Sequence, residues 1–307
     1  MIPVYNEEDI IEEVINHLLS QGIELVILDN GSIDDTFDIC KKYVGKGLLK
    51  LEKFETDSWN ASLFKEMLYH MAIEQKPDWV ILNDADELLE CPKNEINLKN
   101  AIENVDKHGC NLIQFNRFDF FMTNEDKSEI SSVKERMMYY SYQGDYVYRI
   151  WKYFPGIRIG DTAGHYPIFP ENHPYRVYRE KFIMRHYPFR TNKQASKKMV
   201  GRTRGSGKAK NKVSLNGHYK KIISQDYTKK FDSSLLSKYE DSNWNYNLNF
   251  QPFETFIPPK REELFTADGF LRNPPLSAYE LKLLLNEKWN KSLVRKAYRK
   301  FIPKKNQ

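Results

Sequence analysis

The chain has 307 residues, room for one large domain or one domain with an elaborated second half, and its 40% hydrophobic and 29% charged residues place it with soluble globular chains rather than disordered ones. Its longest apolar runs, at 25–28 and 79–82, are four residues long, against the about twenty that a membrane span requires, and no charged-then-apolar leader opens it, so an integral membrane or secreted protein is not expected. Three scattered cysteines, Cys40, Cys91 and Cys110, suit neither a disulfide scaffold nor structural zinc and point to a reducing cytoplasm. The net charge of +5 is unevenly spread: residues 186–225 hold 11 Lys/Arg and no acid, and a second basic tract runs from 288 to 305. Such tracts suit anionic partners or simply solvated faces.

In chain order, Glu7, Glu8 and Asp9 predict the first turn of a helix whose apolar face is Ile10, Ile11, Val14, Ile15, Leu18 and Leu19, with Gly22 as its stop. Leu25 to Leu28 reads as a buried parallel strand. Ser32 and Asp35 are spaced as a capping box for a short helix reaching about Tyr43. A strand at 48–51, a helical stripe of Ala61, Phe64, Met67, Leu68, Met71 and Ala72, and a strand at 79–82 follow. Strands alternating with helices predict an α/β fold with a mostly parallel sheet and helices on both faces, which binds ligands at the carboxyl ends of its strands. Beyond residue 90 the pattern changes to aromatic-rich strands at 111–121, 146–153 and 181–187. An irregular stretch follows at 240–275, and helical spacing returns at 277–301.

Four motifs carry chemistry. Pro3-Val4-Tyr5-Asn6-Glu7-Glu8 falls where the first strand gives way to the first helix, and its aromatic can stack on a nucleobase. Asp29-Asn30-Gly31-Ser32 ends the second strand, where a carboxylate can accept hydrogen bonds from a base imide or a ribose hydroxyl. Asn83-Asp84-Ala85-Asp86-Glu87 follows a buried strand. Its two carboxylates at i and i+2 can converge on one divalent cation, and oxygen ligands suit Mg²⁺ or Mn²⁺. In Arg185-His186-Tyr187-Pro188-Phe189-Arg190 the histidine can ligate that metal and Arg190 can clamp a phosphate; His165 is a similar candidate. The glycines of 201–208 do not match a phosphate-binding loop.

In this order, PVYNEE, LDNGSIDDT and DWVILNDADELL resemble the nucleotide-binding half of a family 2 glycosyltransferase of GT-A fold, and AGHY and RHYPFR resemble the histidine motifs of a bacterial branch of that family. The resemblance implies a GT-A Rossmann-like sheet over residues 1–90, a mixed, aromatic-rich acceptor half over 91–225, and a C-terminal extension over 226–307. It implies transfer of a sugar from a nucleotide-sugar donor, expected to be UDP-linked, to a glycan or lipid-linked acceptor with inversion and with Mg²⁺ or Mn²⁺. It implies a donor pocket formed by Pro3, Tyr5, Asn6, Glu7, Asp29, Asn30, Lys65, Asp84 and Arg190, with Lys65 near the pyrophosphate, and a metal on Asp84, Asp86 and His186. The family's acidic-aromatic motif for a general base is absent, and Asp161 and Glu171 are the nearest candidates. Only two residues precede Pro3, so the sequence is consistent with an upstream start or a truncated first strand.

Two other functions fit parts of this pattern: a nucleotidyltransferase, although Pro3 to Asp9 lacks that class's Gly-rich basic loop, and a non-enzymatic polyanion-binding protein using the 186–225 tract. Nucleic acid is not expected as a partner. The apolar and basic residues of 281–300 predict an amphipathic helix that either packs on its own domain or rests on an anionic membrane at the cytoplasmic face.

Overall fold

The structure, a computed structural model, describes residues 1–54, 61–159, 167–170, 173–204, 229–240, 243–247 and 250. Asp161, His165 and Glu171, most of the basic tract and the 277–301 stretch lie outside these residues.

The first layer is built from β1 (Ile2–Val4), α1 (Ile11–Ser20), β2 (Leu25–Asp29), α2 (Thr36–Lys41), β3 (Leu48–Lys53) and α3 (Ala61–Ile73). The three strands form a parallel sheet in the order β1-β2-β3, with Val4 beside Asp29 and Asp29 beside Lys53. Strand alternation sends Ile2, Val4, Leu25 and Ile27 to one face, where they meet Ile11, Val14, Ile15 and Leu18 of α1. Val26 and Leu28 point to the other face, against Phe64, Met67, Leu68 and Met71 of α3. Each fully buried aliphatic side chain contributes about 1.5–3 kcal/mol, so these two interfaces fix the parallel register on both sides. Gly22, at φ +77°, ends α1 as expected.

Two local expectations are corrected. Glu7 and Glu8 precede α1 rather than filling its first turn, which holds Glu12 and Glu13. Ser32 does not cap α2: the helix begins at Thr36, and the Ser32 hydroxyl accepts from the Asn6 amide at 2.9 Å.

The second layer contains β4 (Trp79–Ile81), β5 (Glu87–Glu90), α4 (Leu98–Lys107), β6 (Leu112–Phe120), α5 (Val133–Arg136), β7 (Tyr139–Lys152), β8 (Arg158–Ile159), β9 (Pro167–Ile168), β10 (Phe182–His186), α6 (Asn192–Arg204) and β11 (Ser237–Lys238). Its sheet is mixed, in the order β11-β7-β6-β10-β5, with β4 antiparallel to β7. Among the described strands of this sheet, only the β6–β10 pair is parallel. The Asn83 amide donates to the Met1 carbonyl at 3.1 Å, which joins the two sheets edge to edge. The expected strands at 111–121, 146–153 and 181–187 correspond to β6, β7 and β10. Strand β5 and helices α4 and α6 were not foreseen. For α4 a signal was present: Asn97 caps it by accepting from the Asn100 amide, ahead of the buried Leu98, Ala101, Ile102 and Val105.

Candidate active site

The loops after β1, β2 and β4 all leave the carboxyl ends of parallel or edge-joined strands, so the topology alone brings three of the four motifs together. Val4 and Asp29 are register partners, and the Asn30 amide donates to the Val4 carbonyl at 2.9 Å. Tyr5 stands beside this junction, 39% exposed. Asn6 adopts φ +53°, a conformation asparagine tolerates, and its Oδ1 accepts from the Ile33 amide at 2.9 Å. Glu7 donates its amide to Thr36 Oγ1 at 2.8 Å. These bonds knit the first motif to the second.

Asp29 is fully buried. Its Oδ1 accepts from the Ser32 amide at 2.7 Å, while Oδ2 has no hydrogen-bond partner among the described residues. Burial pushes its carboxyl above the ordinary value, against the stabilising bonds from Ser32. A buried acceptor left unsatisfied costs about 1–3 kcal/mol, so this atom favours a ligand that can donate to it.

The acidic motif divides between two sets of cations. Asp84 Oδ2 accepts from Arg149 Nη2 at 2.7 Å, and Asp84 Oδ1 lies 3.9 Å from the Lys65 ammonium. The same Arg149 nitrogen reaches Glu87 Oε1. Arg149, on β7, is 1% exposed and Lys65, on α3, is 4% exposed. Asp86 faces the other way. Its Oδ2 is 2.6 Å from Lys198 Nζ on α6 and 3.7 Å from His186 Nε2 on β10. Burial raises the Asp86 carboxyl, but the charges of Lys198, His186 and Arg190 outweigh it and hold the group well below the usual carboxylate range.

His186 is oriented from behind. Asp119, its register partner on β6, sits 2.8 Å from Nδ1 and is itself gripped by Arg117 at 2.7 and 2.9 Å. Burial opposes the charge on Asp119, yet Arg117 and His186 bring its carboxyl down to about 2. Arg117 Nη2 also lies 2.9 Å from Nδ1, so carboxylate and guanidinium together fix the ring with Nε2 toward Asp86. That is the arrangement by which a carboxylate commonly fixes a metal-binding imidazole.

Among the described residues no group of three or more His, Cys, Asp or Glu is arranged to hold a metal ion; Asp86 and His186 come together, and Asp84 does not complete a set with them. The donor chemistry of that pair nonetheless fits a divalent ion: one carboxylate oxygen and one oriented imidazole, with an ammonium already seated on the carboxylate as a stand-in cation.

Arg190, expected as a phosphate clamp, is 2% exposed and fully committed elsewhere. It donates to Asp9 at 2.9 and 2.8 Å, to the Tyr187 carbonyl at 2.8 Å, and to Glu7. It braces the β1–α1 loop from below. Sequence reasoning missed Arg149, Asp119, Arg117 and Lys198. The alternation of Arg117 and Asp119 along one strand was a weak signal for a shared face; Arg149 and Lys198 gave none, since their roles arise only from tertiary contacts.

A Rossmann-like half with an exposed aromatic and a buried acid at its strand tips, followed by an acidic motif facing a histidine, is the arrangement that the resemblance to family 2 implies. The family model described as Glycosyl transferase family 2 matches residues 1–207, and the chain belongs to that family. Neither the nucleotidyltransferase nor the polyanion-binding alternative is favoured by this match. The chain is 29% identical over 118 residues to the poly(ribitol-phosphate) beta-N-acetylglucosaminyltransferase TarS of Staphylococcus aureus, covering 37% of this chain and 19% of that protein. Among solved structures, TarS 1–349 in complex with UDP-GlcNAc is similar at 20% identity, covering 61% of this chain and 57% of that one, with a TM-score of 0.37. The mannosyltransferase Ktr4p of S. cerevisiae in complex with GDP is similar at 14% identity, covering 41% and 40%, with a TM-score of 0.25.

Proposed function

We propose that this protein transfers a sugar from a UDP-linked donor to a glycan or lipid-linked acceptor, by inversion, with Mg²⁺ or Mn²⁺ held on Asp86 and His186. The observation that carries the nucleotide choice is the unpartnered, buried Oδ2 of Asp29 beside the exposed ring of Tyr5. An acceptor-only carboxylate matches the N3–H of uracil, whereas cytosine offers a bare N3 at the same edge. Tyr5 stacks on the base, and Asn6 and Asn30 hold the pocket's two rims together. Lys65 and Arg149 keep Asp84 in place beside the diphosphate. The ion, when bound, supplies charge neutralisation to the departing nucleoside diphosphate. Asp119 and Arg117 keep the imidazole of His186 aimed. An acidic side chain takes the acceptor's proton, with Asp161 and Glu171 as the candidates.

Because the chain spans about a fifth of the length of the curated relatives it matches, donor, acceptor and assembly are all part of this proposal. UDP-GlcNAc is the first donor to test, since the similar staphylococcal segment belongs to an N-acetylglucosaminyltransferase. We place the catalytic domain at 1–225, acting at the cytoplasmic face of a membrane, with the basic 281–300 stretch as a peripheral contact. The test is calorimetric titration of the full chain with UDP, CDP, ADP and GDP in Mn²⁺, followed by hydrolysis assays with the matching nucleotide sugars. UDP should bind at least tenfold more tightly than CDP. Equal affinity for the two pyrimidines would overturn the base assignment.

A further inference from the structure

We infer that Lys198 is a donor-site residue: a tethered cation that occupies the divalent ion's ground on Asp86, so that the ion binds only by displacing it. The inference rests on the metal reading above. Lys198 Nζ lies 2.6 Å from Asp86 Oδ2 and 3.2 Å from Glu7 Oε1, so it bridges the acidic loop after β4 and the loop after β1. The three side chains are 14%, 10% and 10% exposed, which separates this contact from a solvated surface pair. The neighbouring Lys197, 54% exposed, makes only a 3.4 Å contact with Glu8.

Two further features make the contact exchangeable rather than merely structural. Glu7 keeps Arg190 as a direct partner if Lys198 leaves, whereas Asp86, among the described residues, would keep His186 at 3.7 Å and only the more distant charge of Arg190. Asp86 is therefore the carboxylate that calls for another cation. Arg190 is fixed by bonds to three residues, whereas Lys198 is a single ammonium on a flexible four-carbon stem that can swing without breaking a fork.

The two occupancies exclude each other. An ion such as Mg²⁺ binds a carboxylate oxygen at about 2.0–2.1 Å, and the ammonium already sits on that oxygen. Seating both would place charges of +1 and +2 within a few ångströms in a poorly hydrated site. Since Lys198 is carried by α6, loading the ion releases one anchor of that helix.

The full chain is titrated with Mn²⁺ alone, following the free-ion signal by electron paramagnetic resonance. Wild type, Lys198→Met, Lys198→Arg and, as a charge control, Lys197→Met are compared. Lys198→Met should bind Mn²⁺ at least tenfold more tightly than wild type, while Lys198→Arg and Lys197→Met should not. Equal affinity of Lys198→Met and wild type overturns the inference and leaves the metal reading standing. Absence of binding to both overturns the two together. A measurement on wild type covers a variant that fails to fold: saturating Mn²⁺ should speed hydrogen exchange of the α6 amides, and unchanged exchange with bound Mn²⁺ refutes displacement.

Discussion

Arg149→Met tests whether the acidic loop is held by a buried ion network. Removing one partner of a buried pair costs about 3–5 kcal/mol, mostly because the other charge is left uncompensated. Here Asp84, with its side chain 29% exposed, can be hydrated, but Glu87, at 3%, cannot. Burial already pushes the Glu87 carboxyl up, and Arg149 is the main charge opposing that shift. Without Arg149 the buried carboxylate loses the main charge that compensates it. Arg149 Nε and Nη1 have no partners among the described residues, so the methionine also removes two unsatisfied donors. That places the loss at the lower end, about 3 kcal/mol, or a fall in melting temperature of about 10 °C for a domain of this size. Adding Glu87→Gln should restore about half of it, because the orphaned charge is then gone. Urea unfolding of the single and double variants measures both. A loss below about 1 kcal/mol, or a double variant no more stable than Arg149→Met, would refute the argument.

Asp86→Asn should keep the fold, by circular dichroism, and lower kcat by more than the about 10–100-fold typical of losing a metal's outer-shell partner; wild-type turnover, or turnover indifferent to EDTA, contradicts the metal reading. Tyr5→Ala should weaken UDP binding by the about 1–3 kcal/mol of a base–aromatic stack, roughly five- to 150-fold, with acceptor affinity little changed; calorimetry giving unchanged UDP affinity would move the pocket. Glu90 is held below its ordinary value: burial opposes its charge, but Arg185 at 2.8 Å and Lys134 at 3.3 Å prevail. Its contribution is therefore present above the unfolded value of about 4.3 and is lost as pH falls through the lower folded value. Glu90→Gln should be less stable at pH 7 and lose less on acidification from pH 5 to 3. Parallel pH–melting curves for the two proteins would count against this.

The parallel α/β half was legible because its signals are local. Apolar periods of 3.6 and short buried runs specified α1, β2 and α3, and strand-tip placement follows from parallel topology alone. The cations around the acids were not legible. Arg149 lies within a strand that reads as aromatic, and Lys198 lies among basic residues that all look alike in sequence. Only the fold distinguishes the buried lysine from its exposed neighbour. Arg190 failed for the opposite reason: its motif suggested a ligand contact, but Glu7 and Asp9 satisfy it inside the protein.

The long strand β7 limits how this enzyme can admit its substrates. It pairs with β4 through Trp79 to Ile81 and with β6 along most of its length, so one continuous ladder ties the strand edge-joined to the parallel sheet to the rest of the mixed sheet. A clamshell opening about residue 90 would tear that ladder and the Arg149 contacts that depend on it. Access has to come from elements laid over the sheet's rim rather than from separating lobes. Among the described residues α6 is such an element, tied down by Lys198 through Asp86 and Glu7.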